Sequence, residues 1–336
     1  MTADTTAIDL DTVRARLSAD ALEAAVVRCA ILPVDQDELR TARAAFVADD
    51  ARVQAASEIV ADVRGAMGLL DPTWTANWDT RFDPRGPDAA AVDRYFFVFS
   101  LFAALDDVLA YHRSLGIPDK QSSAVLGDLG RHLRVFRQTF DIGGLHVQWW
   151  FRGHFTGLLY DFGRLQFNRG RYTVDPADAR AADSPIEAGD FCLHCHIPES
   201  GPLLPAEVAA SFGRAQEFFA RYYPDEPYTT AMCSSWLLDD QLADYLPADS
   251  NMVRFLRLWH LVGAPSPGDG AVLDFVFRMP GASVGDLPRR TTLERAVVAH
   301  LTADKHWHSR AGWASLAAAA ASALSAPSAD DGSGGV

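Results

Sequence analysis

The chain has 336 residues, 49% of them hydrophobic and 22% charged, with 8 Trp and 19 Phe, more than one core usually serves, so it reads as a packed globular protein of two domains. A net charge of −14 and a pI near 5.0 oppose general nucleic-acid binding. Four cysteines, Cys29, Cys192, Cys195 and Cys233, are too few for a disulfide scaffold and fit a reducing compartment.

The opening MTADTTAIDLDTVRARL has no basic start followed by an apolar stretch, so no signal peptide and a cytoplasmic location are expected. Apolar residues at spacings of three and four predict helices over Ile8–Val34 and Gln36–Leu70, with Asp9 or Asp11 as the first cap. Asp71–Pro87, rich in Asp, Pro, Gly and Trp, reads as a loop. A long apolar helix is predicted over Ala89–Leu115; its run Tyr95–Leu105 is far short of the roughly 20 residues that span a bilayer, and Asp106 and Asp107 follow at once. Another helix, Ser122–Phe140, is expected to end at Gly143-Gly144.

From Leu145 onward strand-like runs alternate with helical ones, the pattern of an α/β domain. Leu158–Phe167 and Arg171–Val174 read as a hairpin turning at Asn168-Arg169-Gly170. Its cluster Arg164, Arg169 and Arg171 is either a solvated face or an anion site. Strands are predicted at Phe191–Ile197, Tyr228–Leu238 and Ala271–Arg278, and helices at Ala206–Tyr222, Asp239–Leu246, Ser250–Trp259 and Thr291–Trp307. Ser325–Val336 has the composition of a disordered tail.

The chemistry concentrates in FCLHCHIPESGPLLPAEV. On a strand, Phe191, Leu193, Cys195 and Ile197 share one face, and Cys192, His194 and His196 the other. The alternation sends the thiols of Cys192 and Cys195 opposite ways, which opposes a zinc site; chelation would need Cys192, His194 and His196 with Cys233, and no metal is expected. Pro198 to Pro205 lead into a helix whose start favours an anion, although plain turn chemistry explains the same residues. In TTAMCSSWLLDD, Thr229, Ala231, Cys233 and Ser235 alternate with Met232, Ser234, Trp236 and Leu238. Asp239 and Asp240 stand at the strand's end, where ligands bind in α/β sheets; Asp239 is equally suited to cap the next helix.

The stretches LLYDFGRLQFNRGRY, LHCHIPESGPL, SSWLLDDQLADYLPADSNMVRFLRLW and RRTTLERAVVAHLTADKHWH resemble bacterial, largely actinobacterial, GNAT-like acyltransferases with a helical N-terminal domain. The resemblance covers most of Trp149–His308 and implies an α+β chain: residues 1–144 a helical N-acyltransferase-type domain, 145–324 a GNAT-like acyltransferase domain with a central twisted sheet, and 325–336 a tail. It implies acyl-CoA as co-substrate, lying between the parted strands Phe191–Ile197 and Tyr228–Leu238. Ser200, Gly201, Leu203 and Leu204 would face its pyrophosphate. An amine attacks the thioester directly, with His196 or His194 as base, Asp239 as anchor or second base, and Cys233 or Ser235 as proton donor to the thiolate or as pocket lining. Ser235, Trp236, Asp240 and Arg164 would contact a small-molecule acceptor; no membrane partner is expected, and the oligomeric state is left open.

One feature departs from that pattern. The superfamily loop Arg/Gln-x-x-Gly-x-Gly/Ala is replaced by Pro198-Glu199-Ser200-Gly201-Pro202-Leu203-Leu204, with one glycine, an added carboxylate and no basic residue. A different acyl carrier, a charged tRNA, or a non-catalytic binding protein on the same fold therefore stay open. A serine hydrolase is the further alternative, from Gly281-Ala282-Ser283-Val284-Gly285 with Asp304, His306 and His308 downstream; Pro280 and Asp286-Leu287-Pro288 oppose the strand–elbow–helix it needs.

Overall fold

A computed structural model describes residues 7–70, 78 and 87–322. The expected tail and the expected loop Asp71–Pro87, apart from Trp78 and Pro87, lie outside the described residues. The chain forms two compact units: residues up to Asp161 with Asn168–Gly170, and Phe162–Phe167 with the residues from Arg171 on.

The first unit is helical, and its caps divide the expected long helices. The first becomes α1 (Leu10–Arg16), capped by Asp9 through the Thr12 N–H, and α2 (Ala19–Arg28), capped by Ser18. Pro33 opens α3 (Pro33–Val47) at its first position, and Asp49 starts α4 (Asp50–Ala66) by accepting from Ala51 and Arg52. After a single turn, α5 (Ala91–Arg94), comes α6 (Phe96–Ser114), buried without a break from Phe96 to Leu105. A helix apolar all round belongs at a core centre, and Val53, Val60 and Val63 of α4 share that core. Among the described residues no helix is long and apolar enough to cross a membrane. The region expected as one helix, Ser122–Phe140, is two, α7 (Asp119–Leu126) and α8 (Asp128–Phe140). Left-handed Asp141, not the glycine pair, ends α8. α9 (Phe151–Phe155) follows.

The six-stranded sheet is ordered β1-β2-β3-β4-β6-β5: β1 Leu159–Asp161, β2 Gln166–Arg171, β3 Phe191–His196, β4 Thr230–Ser235, β5 His260–Pro267 and β6 His308–Ser315. β3 and β4 are parallel, while β6 runs antiparallel to both β4 and β5. On one face α11 (Pro205–Tyr222) lays down Val208, Phe212, Ala215 and Phe219, with Phe212 edge-on to Phe167 at 5.1 Å. On the other, Cys192, Met232, Val262 and Trp313 pack with Tyr172 and with Ala179 of α10 (Pro176–Ala181). A sheet covered on both faces buries both sides of its central strands, which is why Cys192 is as buried as Leu193.

Three expectations differ. The hairpin turns at Phe162–Leu165, closed by the Phe162 N–H on the Leu165 carbonyl at 3.0 Å, and Asn168-Arg169-Gly170 lies inside β2. Ala271–Arg278 is not a strand: α13 (Asp269–Val272) continues into a π-helical turn, Leu273–Phe277, that buries Val272 and Phe277, five residues apart. The strand is β5 just before it, where Gly263, Pro265 and Pro267 mask the pattern; proline is tolerated because β5 is the sheet's edge. α14 (Thr292–Thr302) opens with a capping box of Thr291 and Glu294 and ends five residues before Trp307, ahead of the unanticipated β6. α12 (Asn251–Leu256) and α15 (Leu316–Ala321) complete the unit.

Candidate active site

β3 and β4 are paired at Leu193 opposite Ala231 and His194 opposite Met232, and no further pair follows. At the C-terminal ends Cys195–His196 and Cys233–Ser235 continue as strands without pairing to each other. β4 remains paired with β6 throughout, from Thr230 to Ser235, and β3 has β2 as its other neighbour. Cys195 and Cys233, next in register, meet through their thiols at the base of this opening. Both are buried, and burial first, then Cys233, pushes the Cys195 thiol well above its ordinary value.

The two histidines occupy different positions along the opening. His194 is the last residue of β3 paired with β4; its Nε2 meets the Arg171 carbonyl at 3.1 Å. Burial lowers its pKa, the carbonyl contact opposing that shift, so the neutral ring donates from Nε2. His196 comes two residues later, past the ladder, on the same face and in register with Ser234, which is exposed.

Below the opening, the chain passes through Pro198–Leu204 into α11. Leu203 is buried, Leu204 is exposed at the N-cap position, and Pro205 is at the first helical position. No side chain caps this eighteen-residue helix, so its first-turn N–H groups keep their capacity for an anion. Gly201 sits at φ +124° with open space where a Cβ would stand, so only its backbone conformation demands glycine there. Arg164 is buried beneath the loop; its Nε and Nη1 donate to the carbonyls of Pro202 and Pro198, each at 2.9 Å. Glu199 forms an ion pair with Arg278.

The expected Arg cluster does not exist as a surface. Arg164 holds the loop, and Arg169 is buried, donating to the Gly157 and Gly68 carbonyls. Arg171 lies over the Phe191 ring, 3.7 Å from its centroid.

Beyond β4 the chain makes a 3-10 turn, Trp236–Leu238, with the Ser235 hydroxyl accepting from Leu237 N–H at 3.1 Å. Trp236 is buried in that turn rather than displayed on a strand. Asp239 is buried and caps the next turn. It accepts from the backbone N–H of Gln241 (3.1 Å) and of His308 (2.6 Å) and from Gln241 Nε2. Its carboxylate therefore joins the end of β4 to the start of β6. The neighbouring Asp240 is 68% exposed and lies 3.5 Å from Arg310, which pairs with Ser235 across the sheet. His308 Nδ1 is 3.0 Å from Gln241 Nε2 and 3.6 Å from Asp239. His308, Arg310 and Arg278 were not singled out for this site because β6 and the π-helical turn were hidden; the motif ending in KHWH was the available signal for the first two.

Ser283 lies exposed ahead of a 3-10 turn, Val284–Asp286, instead of at a strand-to-helix elbow. The histidines after it have other partners: His306 pairs with Asp269 at 2.7 Å, and His308 with Gln241 and Asp239. Among the described residues no group of three or more His, Cys, Asp or Glu side chains could hold a metal ion.

A mixed sheet whose adjacent parallel strands part beside an uncapped helix start has the architecture of acetyltransferase-type enzymes. Residues 159–314 match the GNAT-like C-terminal domain, and residues 20–157 the N-acyltransferase N-terminal domain. None of the curated proteins matches the chain. Solved structures do, each over 92% of this chain and 100% of the other. They include an acyltransferase mutant in complex with octanoyl-CoA (31% identity, TM-score 0.75) and an acyltransferase in complex with decanoyl-CoA (30%, 0.74). A third is an acyltransferase in complex with CoA and 10C-teicoplanin (32%, 0.73). The chain belongs to the GNAT-like acyltransferases that carry an N-acyltransferase N-terminal domain.

Proposed function

We propose that the protein moves a medium-chain acyl group from acyl-CoA to an amine of a small-molecule acceptor, by direct attack in a ternary complex. The observation that carries this reading is the parting of β3 from β4 after His194 and Met232, next to the uncapped start of α11. The solved relatives hold octanoyl-CoA, decanoyl-CoA or, with CoA, a teicoplanin derivative, which supports a fatty thioester donor and an amine-bearing glycopeptide as the first acceptor to test.

In this reading the thioester lies in the opening, and main-chain N–H groups released from the ladder on β3 receive the developing oxyanion. The amine nitrogen bonds to the carbonyl carbon, and the carbon–sulfur bond breaks as the tetrahedral intermediate collapses. His196 takes the proton from the attacking amine; it lies beyond the last pair that β3 makes with β4. Ser235, whose oxygen accepts from Leu237, passes its proton to the leaving thiolate and is reprotonated by the proton that His196 took from the amine, while buried Cys233 lines the inner end. Asp240 beside Arg310 receives the acceptor's charged groups, and Asp239 holds β4 and β6 in place behind it. Arg164 acts through the loop it shapes, and Ser200, Gly201, Leu203 and Leu204 face the donor's diphosphate.

The test is incubation with acetyl-, octanoyl- and decanoyl-CoA and a teicoplanin-type amine, following free thiol and product mass. The expected result is thiol release matched by one acyl increment on the acceptor. His196→Ala should lower kcat by about 10²–10⁴-fold without altering the fold. Thermal stabilisation by acyl-CoA with no turnover would leave a binding protein, and unaltered rates in both His196→Ala and His194→Ala would remove the base assignment.

A further inference from the structure

If the loop before α11 receives a diphosphate, its charges are wrong by themselves. From Ile197 to Glu207 the chain contains no Lys or Arg, and it carries two carboxylates, Glu199 in the loop and Glu207 in the helix's first turn. Helix N–H groups alone would face several negative charges with acid on either side. Among the described residues two arginines reach this loop from elsewhere in the sequence. Arg164 is not available to a ligand: it is buried and donates to two loop carbonyls.

Arg278 is placed differently. It pairs with Glu199, whose side chain is 57% exposed, while its own is 21% exposed. The contact is one-sided: the carboxylate stands in water, while the guanidinium is mostly buried, its Nη2 included. Yet Arg278 stands in the left-handed region, φ 58° and ψ 30°, at the end of the π-helical turn Leu273–Phe277. Gly or Asn fills such a position more readily than a residue with a long side chain. A left-handed backbone position that retains a mostly buried arginine beside an exposed carboxylate points to a second use of that arginine, and π-helical turns recur at functional sites.

We infer that Arg278 is the cation for the donor's diphosphate, held at the loop by Glu199 until the donor arrives and then shared with the phosphate oxygens. The inference rests on the acyl-CoA reading above. A guanidinium suits this role because its planar fork meets phosphate oxygens in pairs. The missing basic residue of the loop is thus supplied from the segment after β5, and Glu199 becomes a placeholder for the phosphate instead of an obstacle to it.

The test uses the full chain with Arg278→Gly, Arg278→Lys and Glu199→Gln. Glycine removes the cation while relieving the backbone, so loss of function cannot be laid to strain. By calorimetry, the Kd for decanoyl-CoA should rise roughly ten- to hundredfold in Arg278→Gly, rise less in Arg278→Lys, and fall in Glu199→Gln. In turnover, the preference for decanoyl-CoA over decanoyl-pantetheine, which has the thioester but no phosphate, should drop by the same factor in Arg278→Gly. An unchanged Kd in Arg278→Gly, or equal losses on both thioesters, would overturn the inference. If the wild-type protein neither binds nor consumes acyl-CoA, the proposed function itself fails; if it does both and Arg278→Gly matches it, only the assignment of Arg278 fails.

Discussion

The most demanding prediction concerns Asp128, the first residue of α8, whose side chain is 1% exposed. Its carboxylate accepts from His154 Nε2 at 2.8 Å and Trp150 Nε1 at 3.0 Å, and pairs with Arg131. His154 is fully buried, and its Nδ1 meets the Trp150 carbonyl at 3.1 Å. Both ring nitrogens thus face oxygen atoms of neighbouring groups. Asp128→Asn keeps the shape but turns an amide N–H or a neutral oxygen toward that ring. Breaking one side of a buried pair costs about 3–5 kcal/mol. Burial alone would raise the Asp128 carboxyl, but the His154 hydrogen bond and the neighbouring cations hold it well below the usual carboxylate range. Its folded value lies under its unfolded one, so its stabilisation is complete above roughly pH 4 and disappears as pH falls through the folded value. His132, 3.6 Å from the same carboxylate, is lowered to about 4, chiefly by burial. It binds its proton more readily unfolded, so it too removes stability in acid, between roughly pH 6.5 and 4. Urea unfolding followed by tryptophan fluorescence from pH 7 to 3 should show a large loss in Asp128→Asn at neutral pH and a shallower acid limb below pH 4. A cost under about 1 kcal/mol, or an acid limb as steep as the wild type's, would refute the charged pair.

Two further outcomes test the packing. Gly143→Ala should lower the melting temperature, because its Cβ would fall 1.8 Å from Tyr95 Oη beside the carbonyl that accepts from Arg94 Nε; overpacking of this kind costs about 1–3 kcal/mol, and an unshifted melt would contradict it. Cys29, Cys192, Cys195 and Cys233 are all buried, and burial pushes the first two thiols up to about 12. A thiol reagent at pH 8 should label none of them in the native protein and all four in urea; rapid native labelling would show that the gap between β3 and β4 admits solvent to Cys195 and Cys233.

What could be read from the sequence follows the reach of local rules. Asp9, Ser18, Asp49 and Pro33 act within a turn of themselves, and they set the helix starts as their residue types dictate. The split of helices at Ser18 and Asp49 was nevertheless missed, because apolar spacing runs straight across both breaks. β3 and β4 were legible since each combines alternation with residues of high strand preference. β6, His308–Ser315, was not: its small residues resemble a helix, and its strand character comes from lying between β4 and β5. Ala271–Arg278 failed in the opposite sense, since VLDFVF is rich in β-branched and aromatic residues while its two buried anchors, Val272 and Phe277, follow a π-helical spacing.

The same reasoning explains why the candidate site was half visible. β3, the loop and α11 are contiguous, so their order of strand, turn and helix start could be read in one stretch. The groups that complete them are separated along the chain but adjacent in space. Arg164 arrives from the turn between β1 and β2, Arg278 from the end of a π-helical turn, and His308 and Arg310 from the last strand. A loop of one glycine and one glutamate looks deficient when judged against a contiguous motif, because that motif assumes that cation and loop are neighbours in sequence. Once Arg164 fixes the carbonyls and Arg278 meets Glu199, the acidic loop carries its own counter-charge. On the assignment proposed for Arg278, the departure is a relocation of the basic residue, and a phosphate need only displace one carboxylate to use it.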